Sequence, residues 1–221
     1  DREFVLVDTA GIRRRGLVEP GIEKYAVLRA TRAIERCHVA AVLLDAQDGA
    51  TAQDAHIGGI VHEAGCGAMI VVNKWDLIEK DESTEARFAR TLRSELKFLD
   101  YAPIVTVSAL TGQRATRILP LADQIQAYRR LRVPTAELNR VLADLQAAHD
   151  LRRSGRELKV RYATQVSVEP PTFLFFVNDR RLVHFSFKRF VENQLRESFR
   201  FEGTPVRLVF RDGSATGTSG R

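Results

Sequence analysis

Three short apolar runs, Val39 to Leu44, Ala68 to Val72 and Ile104 to Val107, each stop abruptly at polar residues, and a fourth of the same form, Glu3 to Val7, stops at Asp8. Runs that are apolar throughout, rather than alternating, suit strands buried on both faces, as in a parallel sheet. Segments of helical periodicity lie between and after them: Ile22 to Glu35, Ala52 to Glu63, Glu85 to Phe98 and Ile118 to Tyr128. Thr51-x-x-Asp54 reads as a capping box opening the second helix. Strand and helix alternating at this spacing predict an α/β domain, a mostly parallel sheet with helices on both faces. Ligands of such sheets are held beyond the carboxyl ends of the strands, where these polar clusters fall.

Each cluster has a chemistry. In Asp8-Thr9-Ala10-Gly11, an aspartate at a strand end suits the water shell of a magnesium ion, and the glycine lets a backbone N–H approach a terminal phosphate without an intervening side chain. An ordinary strand-to-loop turn would use the same residues. In Asn73-Lys74-Trp75-Asp76, the aspartate carboxylate can accept two hydrogen bonds at once, matching the N1 and N2 donors of guanine, which adenine lacks. Asn73 can tie adjacent loops together, and the Lys74 stem can cover a flat base. In Ser108-Ala109-Leu110, a small residue leaves a backbone N–H within reach of the guanine O6. Singly these matches are weak. As an ordered set, each directly after a strand, they indicate a guanine-nucleotide domain with Asp8, Thr9, Ala10, Gly11, Ile12, Asn73, Lys74, Asp76, Ser108, Ala109 and Leu110 as the GTP-binding candidates.

The pattern changes after Tyr128. Arg129 to Val133 and Pro134 form a junction, and Thr135 can cap a helix to about Ala148. Leu158 to Val168 alternates as a strand, Pro170-Pro171 breaks it, Thr172 to Val177 is a second strand, Phe185 to Phe199 a helix, and Val206 to Phe210 a third strand. This is a small α+β unit, placing one domain at 1–130, a second at 131–212 and a disordered Gly/Ser/Thr-rich tail at 213–221. The net charge of +6 is unevenly spread, with 14 Lys and Arg against 7 Asp and Glu in residues 151–221. Such a lopsided, Arg-rich small domain is a candidate for contact with a phosphate backbone, through Arg152, Arg153, Arg156, Lys159, Arg161, Lys188 and Arg189. The two cysteines, Cys37 and Cys66, form no C-x-x-C, and the five histidines show no ligand spacing, so disulfide and zinc readings fall away. No run approaches the roughly 18 apolar residues of a membrane span, and the expected setting is the cytoplasm, with no membrane partner.

What surrounds the motifs narrows the reading. Asp8 to Arg14, Gly21-Ile22-Glu23-Lys24-Tyr25 and Asp45-Ala46-Gln47-Asp48-Gly49 closely resemble the second G domain of the Der (EngA) family of bacterial GTPases. Tyr162 to Val166, Pro170 to Phe173, Phe176-Val177-Asn178, Arg189 to Asn193 and Phe201 to Pro205 resemble that family's KH-like domain. The resemblance implies a Ras-like P-loop GTPase fold followed by a KH-like domain. It also implies GTP or GDP with magnesium as ligands, a monomer, and a role in assembling the large ribosomal subunit in contact with its rRNA. Era-type GTPases also join a G domain to a KH domain, but the PPTF and FEGTP segments argue against that type.

The chain departs from the family's full pattern. It contains no G-x-x-x-x-G-K-[ST] and no Gly-Lys dipeptide. The phosphate loop is expected upstream of Asp1, the chain is expected to be a truncated piece that is inactive alone, and no catalytic residue is assigned in it. The missing strand is expected between those ending at Asp8 and Asp45, leaving a gap in the sheet. Ile12 stands where a water-orienting glutamine would be in Ras-like enzymes, and the family resemblance implies a potassium ion in the parent, for which no ligand is assigned here. Residues 135–212 contain no G-x-x-G, the nucleotide clamp of ordinary KH domains, so the basic domain is read either as an RNA-contacting module or as a docking module. The competing reading of the whole is a non-catalytic RNA- or ribosome-binding module.

Overall fold

A computed structural model describes residues 3–8, 20–148, 152–153 and 156–213. It divides into two compact units, Asp1–Tyr128 with Glu202–Pro205, and Arg129–Phe201 with Val206–Arg221.

In the first unit, α1 (Pro20–Arg36), β1 (Val39–Asp45), α2 (Ala52–Ala64), β2 (Gly67–Asn73), α3 (Thr84–Glu95), β3 (Ile104–Thr106) and α4 (Ile118–Arg129) follow in order. The strands form a parallel sheet in the order β1-β2-β3. Central β2 is apolar at every position from Ala68 to Val72, each at most 1% exposed, because both of its faces are covered. Ala68, Ile70 and Val72 pack with Val61 of α2 and Leu92 of α3, whereas Met69 and Val71 pack with Val107 and Ile125 of α4. Burial of each such side chain is worth about 1.5–3 kcal/mol, which explains why a polar residue appears in β2 only at its last position. The Thr51 capping box is present, with Asp54 N donating to Thr51 Oγ1 and Thr51 N to Asp54 Oδ2, and Gly65 closes α2 at φ 74°.

Two expectations are corrected. Glu3–Val7 forms no strand, and Val5, Leu6 and Val7 are 84%, 81% and 65% exposed. A strand takes its hydrogen bonds from neighbours, and among the described residues no strand pairs with this segment. On β1, Leu43 is likewise 63% exposed. The helix expected to run to Phe98 stops at Glu95: Leu96 leaves helical angles at φ −99°, ψ 55°, and a 3-10 turn, Lys97–Leu99, carries Leu99 into the core.

The tetrapeptide Glu202–Pro205 completes this unit from a distance in sequence. Gly203 O accepts the Ala68 N–H at 2.7 Å, and Gly203 N donates to Tyr101 O at 2.9 Å. Gly203 sits at φ +69°, and a Cβ there would stand 2.4 Å from Ile125 Cγ1. Only glycine meets both conditions.

The second unit comprises α5 (Thr135–Ala148), a short hairpin of β4 (Arg152–Arg153) and β5 (Arg156–Glu157), β6 (Val160–Ser167), β7 (Thr172–Val177), α6 (Phe185–Phe199) and β8 (Arg207–Asp212). The hairpin is an addition to the helix-strand-strand-helix-strand order read from the sequence. β7 is central, antiparallel to β6 and parallel to β8. Its Phe173, Phe175 and Val177 are fully buried and cluster with Leu138 and Leu142 of α5 and Val191 and Leu195 of α6. The two helices therefore cover one face of the sheet. The outer edge of β6 is met by side-chain amides of α5. Asn139 bonds both the N–H and the C=O of Ala163, and Gln146 does the same at Val160. Such pairing blocks an edge that would otherwise be open to another strand. Gly213, expected in the tail, donates to Val177 O at 2.8 Å; residues 214–221 lie outside the described residues.

Candidate nucleotide site

The register aligns Asp45 with Asn73 and Val72 with Thr106, so the carboxyl ends of the three strands bring the NKWD and SAL segments together. Asn73 Oδ1 accepts the Ala109 N–H at 2.9 Å, and Trp75 N donates to Val107 O at 3.0 Å. Lys74 adopts left-handed angles, φ 60° and ψ 32°, and starts a 3-10 turn, Trp75–Leu77. Trp75 is buried and meets Phe88 edge-on at 5.3 Å, which anchors the turn from below. Asp76 is thereby fixed with its Oδ1 buried and without a hydrogen-bond partner. An orphaned carboxylate oxygen is costly, and it fits a site whose paired donors arrive with a ligand.

Lys74 Nζ lies 2.6 Å from Asp45 Oδ2. This hydrogen bond and a second from Gln47 N–H hold the Asp45 carboxyl below its ordinary value, and the same contact raises the Lys74 ammonium. The pairing fixes the lysine stem at the ends of β1 and β2. Asp45, named from the sequence as a strand end and in the Asp45 to Gly49 resemblance, was not among the GTP-binding candidates.

The SAL loop is held from several sides. Ser108 is fully buried, its N–H donates to Gln113 O, and its Oγ accepts the Thr111 N–H at 3.1 Å. Arg114, at φ 58°, donates to Thr106 Oγ1 and, at 3.0 Å, to Glu85 Oε1, and the Thr106 hydroxyl donates to the same carboxylate. This clamp on α3 joins positions 21 and 29 residues apart, which no local pattern announces. The Ala109 N–H, expected to face a purine carbonyl, is instead donated to Asn73, so in this conformation it serves the loop. Leu110 is 88% exposed and closes nothing.

Of the phosphate-side candidates, only Asp8 falls among the described residues. Asp8 is exposed on irregular chain, and Thr9, Ala10, Gly11, Ile12 and the Arg13-Arg14-Arg15 run lie outside the described residues. Among the described residues no three His, Cys, Asp or Glu side chains converge on a metal position, and Asp8 is the one carboxylate of the phosphate-side motif.

The basic residues of the second unit are dispersed. Arg152, Arg153 and Arg156 belong to the β4–β5 hairpin, Lys159 pairs with Glu157 at 3.1 Å, and Arg161 is exposed on β6. Lys188 stands 5.9 Å over the Phe210 ring, and Arg189 is exposed on α6. No helix among the described residues is long and apolar enough to cross a membrane.

Comparison with known proteins agrees with this geometry. The family described as the elongation factor Tu GTP binding domain matches residues 19–129, and the KH-domain-like family of EngA bacterial GTPase enzymes matches residues 132–211. GTPase Der of Chloroflexus aggregans is 54% identical over 210 residues, 94% of this chain and 47% of its own length. GTPase Der of Halalkalibacterium halodurans is 50% identical over 212 residues, 96% of this chain and 48% of its own. The chain thus spans about half the length of these relatives. The structure of Era from Aquifex aeolicus covers 88% of this chain at 16% identity and a TM-score of 0.42, values too low to bear on function. On the family match across half of its length and the Der likeness along nearly all of it, the chain belongs to the elongation-factor-Tu-type GTP-binding family and, within it, to the Der (EngA) GTPases.

Proposed function

We propose that the chain is the guanine-reading and RNA-directed part of a GTPase of ribosome biogenesis, acting in assembly of the large ribosomal subunit. The observation that carries this is the buried, unpartnered Asp76 Oδ1 on a turn whose neighbours are tied together by Asn73. A purine with donors at N1 and N2 satisfies that carboxylate; adenine does not. For Ala109 to donate to O6 as well, its N–H must be taken from Asn73 or shared. Asp8, beside the γ-phosphate motif, is the carboxylate we assign to magnesium through water, and the metal when bound neutralises charge on the phosphates. Nucleotide state then governs attachment of the basic KH-like unit to rRNA, in a cytoplasmic monomer.

The charge excess of 14 basic over 7 acidic residues in positions 151–221 favours a second reading of the piece itself, as an RNA- or ribosome-binding module that turns over no nucleotide. The gene's entire product separates the two. Radiolabelled GTP hydrolysis in the presence of large subunits is expected; large-subunit association without hydrolysis selects the second reading.

A further inference from the structure

With α5 and α6 on one face of the β6-β7-β8 sheet, the register assigns the opposite face to a specific set of residues. Tyr162, Phe176 and Arg211 stand in one row across the three strands; Thr164, Leu174 and Val209 form the next; Thr172 and Arg207 continue it. The Tyr162 and Phe176 rings lie side by side, with centroids 6.2 Å apart and planes inclined at 34°. Tyr162 is 43% and Val209 39% exposed, and Arg207 and Arg211 are exposed at the margin. A register shift between Val160 and Tyr162 leaves Arg161 exposed too. Its Cδ and the Phe176 Cβ both border Gly213, 3.7 and 3.5 Å from where a Cβ would stand there. Bulges of this kind re-aim side chains at a strand's edge.

We infer that this face is a single-stranded RNA surface, with Tyr162 and Phe176 as base-stacking rings and Arg161, Arg207 and Arg211 as phosphate contacts. The inference rests on the proposed RNA contact of this unit and gives it a location. Two adjacent aromatic rings continuing into a guanidinium in the same row match the alternation of flat base and phosphate along a strand, which a purely apolar docking face does not require. The excess of basic residues over residues 151–221 supplies the complementary sign. The site lies on the sheet, and the missing G-x-x-G has no bearing on it, because a stacking platform holds bases by their faces and not by a backbone clamp.

The test uses the 221-residue chain, an unstructured, fluorescein-labelled RNA of roughly 12 nucleotides, and an abasic strand with the same number of phosphates. Tyr162→Ala is expected to weaken RNA binding by about 5- to 150-fold and to leave abasic binding unchanged. Tyr162→Trp restores RNA affinity and shows quenched indole emission on binding. Arg211→Ala weakens both ligands and lowers the slope of log K against log salt by roughly one. Thermal melts of Tyr162→Phe and Tyr162→Ala report whether the fold is intact. Equal losses toward RNA and abasic strand, or no loss at all, overturn the stacking role. Unchanged RNA affinity with an altered sedimentation coefficient assigns the face to a protein partner and likewise overturns it. If the unaltered chain binds no RNA at low salt, the proposed RNA function of the unit falls as well.

Discussion

Asn73 and Ala109, 36 residues apart, are joined by one hydrogen bond of 2.9 Å that fastens the end of β2 to the loop after β3. Asn73→Ala removes the acceptor and frees the loop. Because the bond is exposed, the loss of stability in a urea titration should be small, about 0.5–1.5 kcal/mol. The larger consequence is expected in ligand affinity, since Asp76 and Ser108 then lose their common frame. A variant with unaltered guanine-nucleotide affinity in the gene's entire product would show that the two loops are positioned independently.

Replacement of Asp76 by Asn keeps one acceptor but removes the charge and presents an amide donor to the guanine donors. Charge-assisted hydrogen bonds of this kind are worth about 1.5–3 kcal/mol each, so GTP affinity should fall tenfold or more. Xanthine nucleotides, with an oxygen at C2, should gain. Fluorescence titration of the gene's entire product with both nucleotides measures this directly; equal GTP affinity in Asp76→Asn removes the assignment of the base site.

The Asp45–Lys74 contact gives a pH dependence whose sign is fixed. Asp45 is depressed in the folded state, chiefly by its hydrogen bond from Lys74, so its contribution is present above its ordinary value of 3.8 and is lost as pH falls through the lowered one. Lys74 is raised, so its contribution is present below 10.5 and is lost as pH rises through the raised value. Between these limits the pair should be insensitive to pH. Carboxyl-carbon NMR should place the Asp45 midpoint below 3.8 and, in Lys74→Ala, move it back up. A midpoint unaffected by the substitution would mean that the two side chains do not meet in solution.

In the second unit, Asn139→Ala leaves both backbone groups of Ala163 without a partner. Ala163 is fully buried, so each unsatisfied group costs about 1–3 kcal/mol, and denaturant midpoints of the 221-residue chain should fall accordingly. Asn139→Gln, one methylene longer, should recover little of the loss. A midpoint unchanged in Asn139→Ala would show that water replaces the amide at no cost.

Much of this architecture was legible because local pattern and tertiary demand coincide. β2 reads as a strand from its apolar run, since two helical layers bury it; α2 announces itself by Thr51 and Asp54; the NKWD and SAL turns stand at strand ends where a parallel register must bring them together. What was not legible depends on partners remote in sequence. Glu3–Val7 has strand composition but, among the described residues, no strand that pairs with it. Arg114, Glu85 and Thr106 meet only after folding, and the space that excludes a Cβ at Gly203 is filled by Ile125, far from it in the chain. The Ala109 N–H was assigned to a ligand because its competitor, Asn73, is a side chain whose rotamer no sequence pattern fixes.

The last prediction concerns the chain of 221 residues as it stands, which should hold GDP weakly and hydrolyse GTP at no measurable rate. Phosphoryl transfer depends on placing the phosphates and stabilising their charge, and the sequence contains no Gly-Lys pair to supply the lysine, the following hydroxyl or the backbone cradle of a phosphate loop. The residues that face a ligand are those for the base: Asp76 with its buried oxygen, and the loop that Asn73 holds. Their hydrogen bonds must be set against an immobilisation cost of about 4–15 kcal/mol, and the surplus is small. Calorimetry with GDP should therefore show dissociation constants weaker than micromolar, and phosphate release from GTP should stay at background. Tight binding would place the phosphates on groups within this chain, with Asp8 and the Arg13-Arg14-Arg15 run as the first residues to substitute.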